Sequence, residues 1–317
     1  MARSRSIVLA LLLAFLLALG LVAPATAAPA KDRARVVKEE WVAERQLDLT
    51  VDSPALGKAV KVRLLTPDGW RKGTHKSWPT FYLLHGCCGD YTSWTALTDV
   101  AETKALRKTL VVMPEAGNVG WYSDWWNGGN GGTPKWETFH LTELRRLLER
   151  EYGAGHKRVV AGLSMGGFGA LSYAARHPGK FRAAASYSGV VNPIHDAQFV
   201  LNLNAAFGED PLALWGDPIK QRRIWNAHDP LHLARKLRHT PVFLASGNGQ
   251  PGPFDDPNRQ PDALEQELWE QNVLVAKRLK ELRAPLVTDL YGPGTHSWPY
   301  WERELHRSLP LLLGALR

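Results

Sequence analysis

The sequence predicts an α/β protein in which a central, mostly parallel sheet carries helices on both faces. Short, wholly apolar runs at residues 80–84 and 110–113 are typical of strands that are buried on both sides. A longer run at residues 135–152 has apolar residues at helical spacing. Another apolar run, at residues 159–161, leads through a glycine-rich turn into a helical segment at residues 168–176. Because strands and helices alternate, we expect parallel strands covered by helices.

Other predicted elements surround this core. Residues 41–51 and 59–65 predict two antiparallel strands, which end at the turn-forming Pro67-Asp68-Gly69. Residues 115–134 are rich in Trp and Gly and form a loop too long to be a simple connection. The remaining predictions are strands at residues 183–188, 241–246 and 286–290, and helices at residues 94–107, 263–283 and 299–313.

The N-terminus predicts export from the cell. Arg3 and Arg5 precede an apolar run at residues 7–22, and the small residues Ala25-Thr26-Ala27 follow. This order is typical of a secretory signal peptide, whereas the apolar run is shorter than the ~20 residues of a membrane-spanning helix. We therefore expect residues 1–27 to be a signal peptide cleaved near Ala27, and residues 28–317 to form a single secreted domain.

Charge and cysteine content exclude several classes of protein. The formal net charge is +8, but the basic residues are scattered, so we expect no nucleic-acid partner. An anionic cell-envelope surface is an alternative partner. The two cysteines, Cys87 and Cys88, are adjacent, and neighbouring Cα atoms lie ~3.8 Å apart, below the ~4.4 Å lower limit usual for disulfides. We expect two thiols, no metal site and no organic cofactor.

Gly162-Leu163-Ser164-Met165-Gly166 is the strongest chemical signal. A G-x-S-x-G pattern between a strand and a helix is typical of a nucleophile elbow, which presents a serine on a sharp turn. We predict Ser164 as a nucleophile. The backbone N–H of Met165 then faces the same space and can bind an oxyanion.

Two further loops follow predicted strands at the same edge of the sheet. In hydrolases with such an elbow, an earlier loop supplies the second oxyanion N–H, and Cys87 holds that place here. The triad order of nucleophile, acid and histidine requires a late histidine, and only His296 and His306 follow the last predicted strand. His306 falls inside the last predicted helix, so we assign His296 as the general base.

The sequence motifs and the chain order do not identify the triad acid. A carboxylate must orient the imidazole, and it should lie between Ser246 and His296. Asp255 and Asp256 hold the common position after the strand. The full set of candidates is Asp255, Asp256, Asp262, Glu265, Glu267 and Glu270.

From about residue 80 onwards, the chain resembles the secreted antigen 85 mycolyltransferases and the broader esterase D-like hydrolases, which have the α/β-hydrolase fold. The resemblance rests on several long, Trp-rich segments: Trp121-Tyr122-Ser123-Asp124-Trp125, Lys135-Trp136-Glu137-Thr138-Phe139, Leu214-Trp215-Gly216, Gly247-Asn248-Gly249 and Gly294-Thr295-His296-Ser297-Trp298-Pro299-Tyr300-Trp301. In that family the acid is a glutamate of a Leu-Glu pair, which corresponds to Leu264-Glu265. The resemblance therefore favours Glu265, and it also implies oxyanion donors at Cys87 and Met165.

One departure from the family bears on the substrate. The mycolyltransferases carry an acidic residue and an arginine that contact trehalose, whereas the corresponding positions here are His85 and Cys88. This difference favours ester hydrolysis over trehalose acylation. We predict substrate contacts by His85, Trp125 and Trp298, although packing is the commoner role of tryptophan.

Together these observations predict a monomeric, secreted serine esterase. It would act on a small-molecule ester or on a lipid or glycan ester, through an acyl-enzyme and a Ser-His-Glu triad. The alternatives are an acyltransferase that uses a carbohydrate hydroxyl as acceptor, and a catalytically inactive secreted binding or adhesion protein.

Overall fold

The computed structural model describes residues 33–73 and 75–317, so the predicted signal peptide lies outside the described residues. The described chain forms one nine-stranded sheet in the order β1-β2-β3-β5-β4-β6-β7-β8-β9. The strands are β1 Arg35–Ala43, β2 Gln46–Ser53, β3 Lys58–Leu65, β4 Trp78–Leu84, β5 Leu110–Pro114, β6 Ala154–Leu163, β7 Ala184–Tyr187, β8 Val242–Gly247 and β9 Leu286–Gly292. Strands β1 to β3 and the β3–β5 pair are antiparallel, whereas all pairs from β5 to β9 are parallel.

The helices connect these strands and cover both faces. They are α1 Ser93–Leu97, α2 Trp136–Thr138, α3 Arg145–Glu151, α4 Met165–Arg176, α5 Ala197–Ala206, α6 Arg222–His228, α7 Pro230–Leu233, α8 Ala263–Glu281 and α9 Trp298–Ala315. A π-helical turn, Phe139–Leu144, joins α2 to α3, and short 3₁₀ turns occupy Lys104–Leu106, Asn127–Gly129 and Ala234–Leu237. No helix in the described ranges is long and apolar enough to cross a membrane.

The α/β-hydrolase fold predicted from the sequence is confirmed. Alternate residues of β4 enter two hydrophobic cores, because successive side chains of a strand point to opposite faces. Tyr82 and Leu84 pack into the core that also contains Phe168 of α4. Phe81 and Leu83 pack into the core that contains Leu305 of α9.

Three local predictions were wrong or incomplete. The strand predicted at residues 41–51 is divided between β1 and β2 by a turn at Glu44 and Arg45. The helix predicted at residues 94–107 ends with α1, because Thr98 is extended (φ −146°, ψ 169°) and its hydroxyl donates to the carbonyl of Trp94 (2.5 Å). Helices α5, α6 and α7 were not predicted, and they matter because α5 forms part of the site.

Candidate active site

Ser164 lies on the turn between β6 and α4. Its backbone angles are φ 51° and ψ −120°, a left-handed conformation that is strained for a residue with a side chain. The two glycines of the motif allow the close packing on which the turn depends. A Cβ at Gly162 would lie 2.4 Å from the carbonyl oxygen of Gly166, and a Cβ at Gly166 would lie 2.5 Å from that of His85. The turn therefore has the geometry of a nucleophile elbow.

Two backbone N–H groups lie beside this serine. Met165 is the first residue of α4, and N–H groups in the first turn of a helix have no partner within the helix. Cys87 lies in the loop after β4, which packs directly on the elbow: a Cβ at Gly86 would lie 3.3 Å from the Cβ of Ser164. Among the described backbone contacts, the N–H of Cys87 donates no hydrogen bond. Both groups therefore lie next to the serine without a competing acceptor.

His296 lies in the loop between β9 and α9. Its Nδ1 atom is 2.7 Å from Oε2 of Glu265, and the edge of its ring packs against Trp301, with ring centroids 4.8 Å apart. The side chain is 13% exposed, so part of the imidazole faces the cavity described below. A carboxylate at Nδ1 leaves Nε2 as the nitrogen available for proton transfer.

Glu265, in the first turn of α8, is completely buried. Its other oxygen, Oε1, accepts hydrogen bonds from the hydroxyls of Ser188 (2.7 Å) and Ser246 (3.0 Å) and from the N–H of Gly247 (2.7 Å). A buried carboxylate requires such partners because its desolvation is otherwise very costly. These donors hold Glu265 in the orientation that contacts His296. The sequence did not single out the two serines, because they come from the ends of two different strands.

Asp262 connects the acid and the histidine. It caps α8 by accepting a hydrogen bond from the N–H of Glu265 (3.1 Å), and its second oxygen accepts one from the N–H of His296 (3.1 Å). Burial raises the pKa of the Asp262 carboxyl. The two backbone donors, together with the Coulombic effect of the neighbouring basic side chains, lower it by more, so the net pKa lies below the usual value. An aspartate directly before a predicted helix is a capping signal that could have indicated this role.

The other candidate acids lie elsewhere. Asp255 accepts hydrogen bonds from the hydroxyl of Thr295, the hydroxyl of Tyr300 (2.7 Å) and the N–H of Gly252 (2.8 Å). Asp256 accepts one from the N–H of Asn258 (2.8 Å). Glu267 faces His195, with 3.4 Å between the two polar atoms. Of the six candidates, only Glu265 has a hydrogen bond to the imidazole of His296 among the described residues.

A cavity of about 380 Å³ opens above the serine. Ser164, Met165, Cys87 and His296 line it together, so the structure brings the predicted nucleophile, base and oxyanion donors to one place. The rest of the wall is mostly apolar and comes from several elements: Leu97, Trp121, Phe199, Leu203, Leu264 and Trp298.

Two of the predicted substrate contacts need correction. His85 is 1% exposed, and its ring is turned into the protein: Nδ1 lies 2.7 Å from the carbonyl oxygen of Gly86, and Nε2 lies 3.0 Å from the backbone nitrogen of Ala116. Trp125 is 5% exposed and donates to the carbonyl of Gly120 (3.2 Å). Neither residue lines the cavity at Ser164, whereas Trp298 does. Both rings are held by packing and by backbone partners, which sequence patterns do not reveal.

A serine on an elbow, beside a histidine–carboxylate pair and free backbone N–H groups, is the arrangement of serine hydrolases. The fold and the site thus define a serine hydrolase with the α/β-hydrolase fold. The model of the Esterase family, described as "Putative esterase", matches residues 53–312, and the chain belongs to this family.

Individual relatives agree with this assignment. The chain is 32% identical over 287 residues to the diacylglycerol acyltransferase/mycolyltransferase Ag85B of Mycolicibacterium smegmatis, with 84% of each chain covered. It is 34% identical over 219 residues to the esterase MT1326 of Mycobacterium tuberculosis, covering 64% of this chain and 46% of that one. Among solved structures, MPT51 of Mycobacterium tuberculosis matches with a TM-score of 0.71 and 24% identity, covering 87% of this chain and all of that one. At this identity the last comparison concerns the fold alone.

Proposed function

We propose that this protein is a secreted serine esterase that hydrolyses carboxylic esters through an acyl-enzyme, with Ser164, His296 and Glu265 as its catalytic triad. One observation carries the proposal. His296, whose Nδ1 lies 2.7 Å from the buried carboxylate of Glu265, lines the same cavity as Ser164 of the elbow.

In the first step, Nε2 of His296 takes the proton of the Ser164 hydroxyl as the oxygen attacks the ester carbonyl. Glu265 holds the imidazole in place and stabilises its positive charge. The N–H groups of Met165 and Cys87 donate to the oxyanion, where charge develops in the transition state. His296 then gives its proton to the departing alkoxide, and the acyl group stays on Ser164.

In the second step, water enters the cavity and loses a proton to His296 as it attacks the acyl-enzyme. The same two N–H groups stabilise the second oxyanion. Collapse of this intermediate releases the carboxylic acid, and the serine regains its proton. No step requires a metal or an organic cofactor.

The apolar wall supports an acyl group with hydrocarbon character as its occupant. Leu97, Phe199 and Leu203 offer no charged group to such a chain, and Trp298 adds an aromatic face. We propose a small-molecule, lipid or glycan ester as the substrate. We also propose that residues 28–317 act as one secreted, monomeric domain, which N-terminal sequencing of the exported protein and its mass in solution will test.

Acyl transfer to a carbohydrate hydroxyl is the second candidate, and the 32% identity to Ag85B, whose name includes acyltransferase and mycolyltransferase, favours it. Such an activity would use a sugar hydroxyl in place of water in the second step. Incubating the enzyme and a p-nitrophenyl ester with and without trehalose distinguishes the two. Hydrolysis yields free acid in both mixtures, whereas transfer yields an acylated sugar only when trehalose is present.

Replacing the serine tests the triad and also separates an enzyme from an inactive binding protein. We expect Ser164→Ala to lower kcat on p-nitrophenyl esters by about 10⁶-fold and to abolish labelling by a fluorophosphonate. The matched control is Ser77→Ala, because Ser77 is exposed just before β4, at the far end of that strand from the loop that contacts Ser164. A folded Ser164→Ala protein that keeps more than a few per cent of the wild-type rate would exclude Ser164 as the nucleophile.

A further inference from the structure

Cys87 and Cys88 are the only two cysteines of the sequence, and both are free thiols. Both line the cavity at Ser164. Cys88 is exposed and Cys87 is half-buried, so a molecule that enters the cavity can reach both sulfur atoms. The mechanism above uses the backbone of Cys87 and neither thiol.

The loop holds these two side chains in a defined arrangement. Cys88 has a left-handed backbone (φ 64°), and its N–H donates to the carbonyl of Asn118 (3.4 Å). The N–H of Gly89 closes the turn on the carbonyl of Gly86 (3.4 Å). Burial first, and then the neighbouring side chain of Cys88, raise the pKa of the Cys87 thiol. The Cys87 thiol is therefore protonated at neutral pH, and the side chain of Cys88 lies beside it.

A direct bond between them is geometrically unfavourable. Neighbouring Cα atoms are ~3.8 Å apart, whereas disulfides usually require at least ~4.4 Å. A larger atom placed between the sulfurs relaxes this constraint. Metal–thiolate bonds of about 2.3 Å allow the sulfurs to remain more than ~3 Å apart, compared with ~2.05 Å in a disulfide.

We propose that Cys87 and Cys88 form a two-thiol binding site for a soft, thiophilic centre, of the class of trivalent arsenicals, and that its occupation closes the ester cavity. Soft sulfur ligands select soft centres over hard cations such as Mg²⁺ or Ca²⁺. Capture of a monosubstituted arsenic(III) oxide forms two As–S bonds and breaks the As–O bonds. The two thiol protons leave with the oxygen as one molecule of water, and no atom changes its oxidation state.

An arsenical bound at this site would inhibit ester hydrolysis because it lies in the cavity beside Ser164. An organic group on the arsenic would occupy part of the cavity of about 380 Å³ beside Ser164, and Cys87, whose sulfur binds the arsenic, also supplies the proposed oxyanion N–H. The inhibitory part of the inference rests on the proposed function, whereas the binding part does not.

Phenylarsine oxide is a suitable probe. We expect one equivalent to remove both titratable thiols, to add one phenylarsenic group to the intact mass, and to slow ester hydrolysis at least tenfold. A dithiol such as 2,3-dimercaptopropanol should restore both thiols and the rate. 2-Mercaptoethanol at the same thiol concentration should not, because it lacks the chelate effect of two sulfurs on one molecule.

Cys87→Ser and Cys88→Ser each leave one thiol, so the two variants test whether binding of the arsenical requires both sulfurs. Each is compared with its own untreated rate, and we expect each to need at least a hundredfold more arsenical for half inhibition than the wild-type protein. Thiol titration and intact mass of the wild-type protein decide the binding part even if a variant does not fold.

Three results would overturn the inference. Retention of both thiols after treatment excludes the site, and equal sensitivity of the single-thiol variants excludes two-sulfur capture. Full occupation with an unchanged hydrolysis rate excludes closure of the cavity. An untreated protein without esterase activity would contradict the proposed function instead, and the thiol measurements would still test the site.

Discussion

Glu265 and Asp255 are two carboxylates that both contact the segment around His296, but they have different partners. Glu265, on α8, directs one oxygen at the imidazole and satisfies the other with three donors. Asp255 lies in the loop between β8 and α8, and it contacts the residue before His296 and a tyrosine of α9. One carboxylate therefore contacts the imidazole ring, whereas the other contacts side-chain hydroxyls of Thr295 and Tyr300, on either side of His296 in the sequence.

The contrast shows that position along the chain does not decide which acid serves the histidine. Asp255 follows β8 closely, in the place where such acids are common, yet its oxygens are engaged by Thr295, Tyr300 and Gly252. Glu265 is supplied by the first turn of α8. The distinction can be tested by removing each carboxylate in turn.

The largest effect is expected at Glu265. We predict that Glu265→Gln lowers kcat by about 10⁴-fold, because the amide can no longer stabilise a positively charged imidazolium or fix its tautomer. The measurement is kcat on one p-nitrophenyl ester, with near-ultraviolet circular dichroism to confirm the fold. A rate near that of wild type would show that another group orients His296.

Asp262 is expected to have an intermediate effect, because it acts through its neighbours. Asp262→Ala loses the cap of α8, worth about 1 kcal/mol of stability, and frees the N–H of His296. We predict a loss in kcat of about 10- to 100-fold, since small displacements of a catalytic group are costly, with little change in KM. Asp262→Asn keeps one acceptor oxygen, so it can retain only one of the two hydrogen bonds and should lose less of the rate than Asp262→Ala. If Asp262→Ala and Asp262→Asn lower kcat equally, the loss of these hydrogen bonds does not explain the lower kcat.

A smaller effect on turnover is expected at Asp255. We predict that Asp255→Asn lowers kcat less than tenfold and lowers the free energy of unfolding by about 1–2 kcal/mol, because hydrogen bonds to a charged acceptor are lost. Asp256→Asn is the matched control and should change stability by less than ~0.5 kcal/mol, since Asp256 is exposed.

The Asp255 effect also has a defined pH dependence. Burial raises the pKa of Asp255. The hydrogen bonds from the hydroxyls of Thr295 and Tyr300 lower it by more, so the net pKa lies below the ordinary value of 3.8. The stabilising contribution is therefore complete above that value and is lost as the pH falls through the folded-state pKa. Urea unfolding of wild type and variant at neutral and at strongly acidic pH measures this. A stability difference that persists unchanged in acid would contradict it.

Glu304 of α9 is a buried carboxylate outside the site, and its removal is expected to affect turnover least. Its Oε1 contacts Arg303 (2.6 Å), but its Oε2 has no hydrogen-bond partner in the described part of the chain. Burial, only partly opposed by Arg303, raises its pKa from 4.5 to about 7. The raised pKa means that the folded protein holds this proton more tightly than the unfolded chain does.

Glu304→Gln should therefore leave kcat within about twofold and change the pH profile of stability. The wild-type protein loses stability relative to the variant as the pH rises from about 4.5 to about 7, by on the order of 3 kcal/mol, and the difference is constant above that range. Thermal unfolding of both proteins at pH 4.5 and pH 8 provides the measurement. If the stability difference between wild type and Glu304→Gln is the same at pH 4.5 and at pH 8, the pKa of Glu304 is not raised in the folded protein.

Local sequence patterns were enough to predict the strands of the core, the elbow and the loop with the histidine. The apolar runs of β4, β5 and β6 predict buried parallel strands, because such strands have no polar face. The elbow at Ser164 follows from two glycines and a strand–helix boundary, all within five residues. The late loop with His296 was indicated by chain order alone, and the structure places it at the same cavity as Ser164.

The contacts between segments that are distant in the sequence could be read only from the folded chain. Glu265 and His296 are 31 positions apart, and Ser188 reaches Glu265 across 77 positions, so no local pattern pairs them. His85 and Trp125 show the same dependence on packing. Their residue types suggested substrate contacts, but both rings are held by packing and by backbone partners and do not line the cavity. A side chain's direction depends on which neighbours satisfy its polar atoms when the chain is folded, and those neighbours come together only when the sheet and its helices assemble.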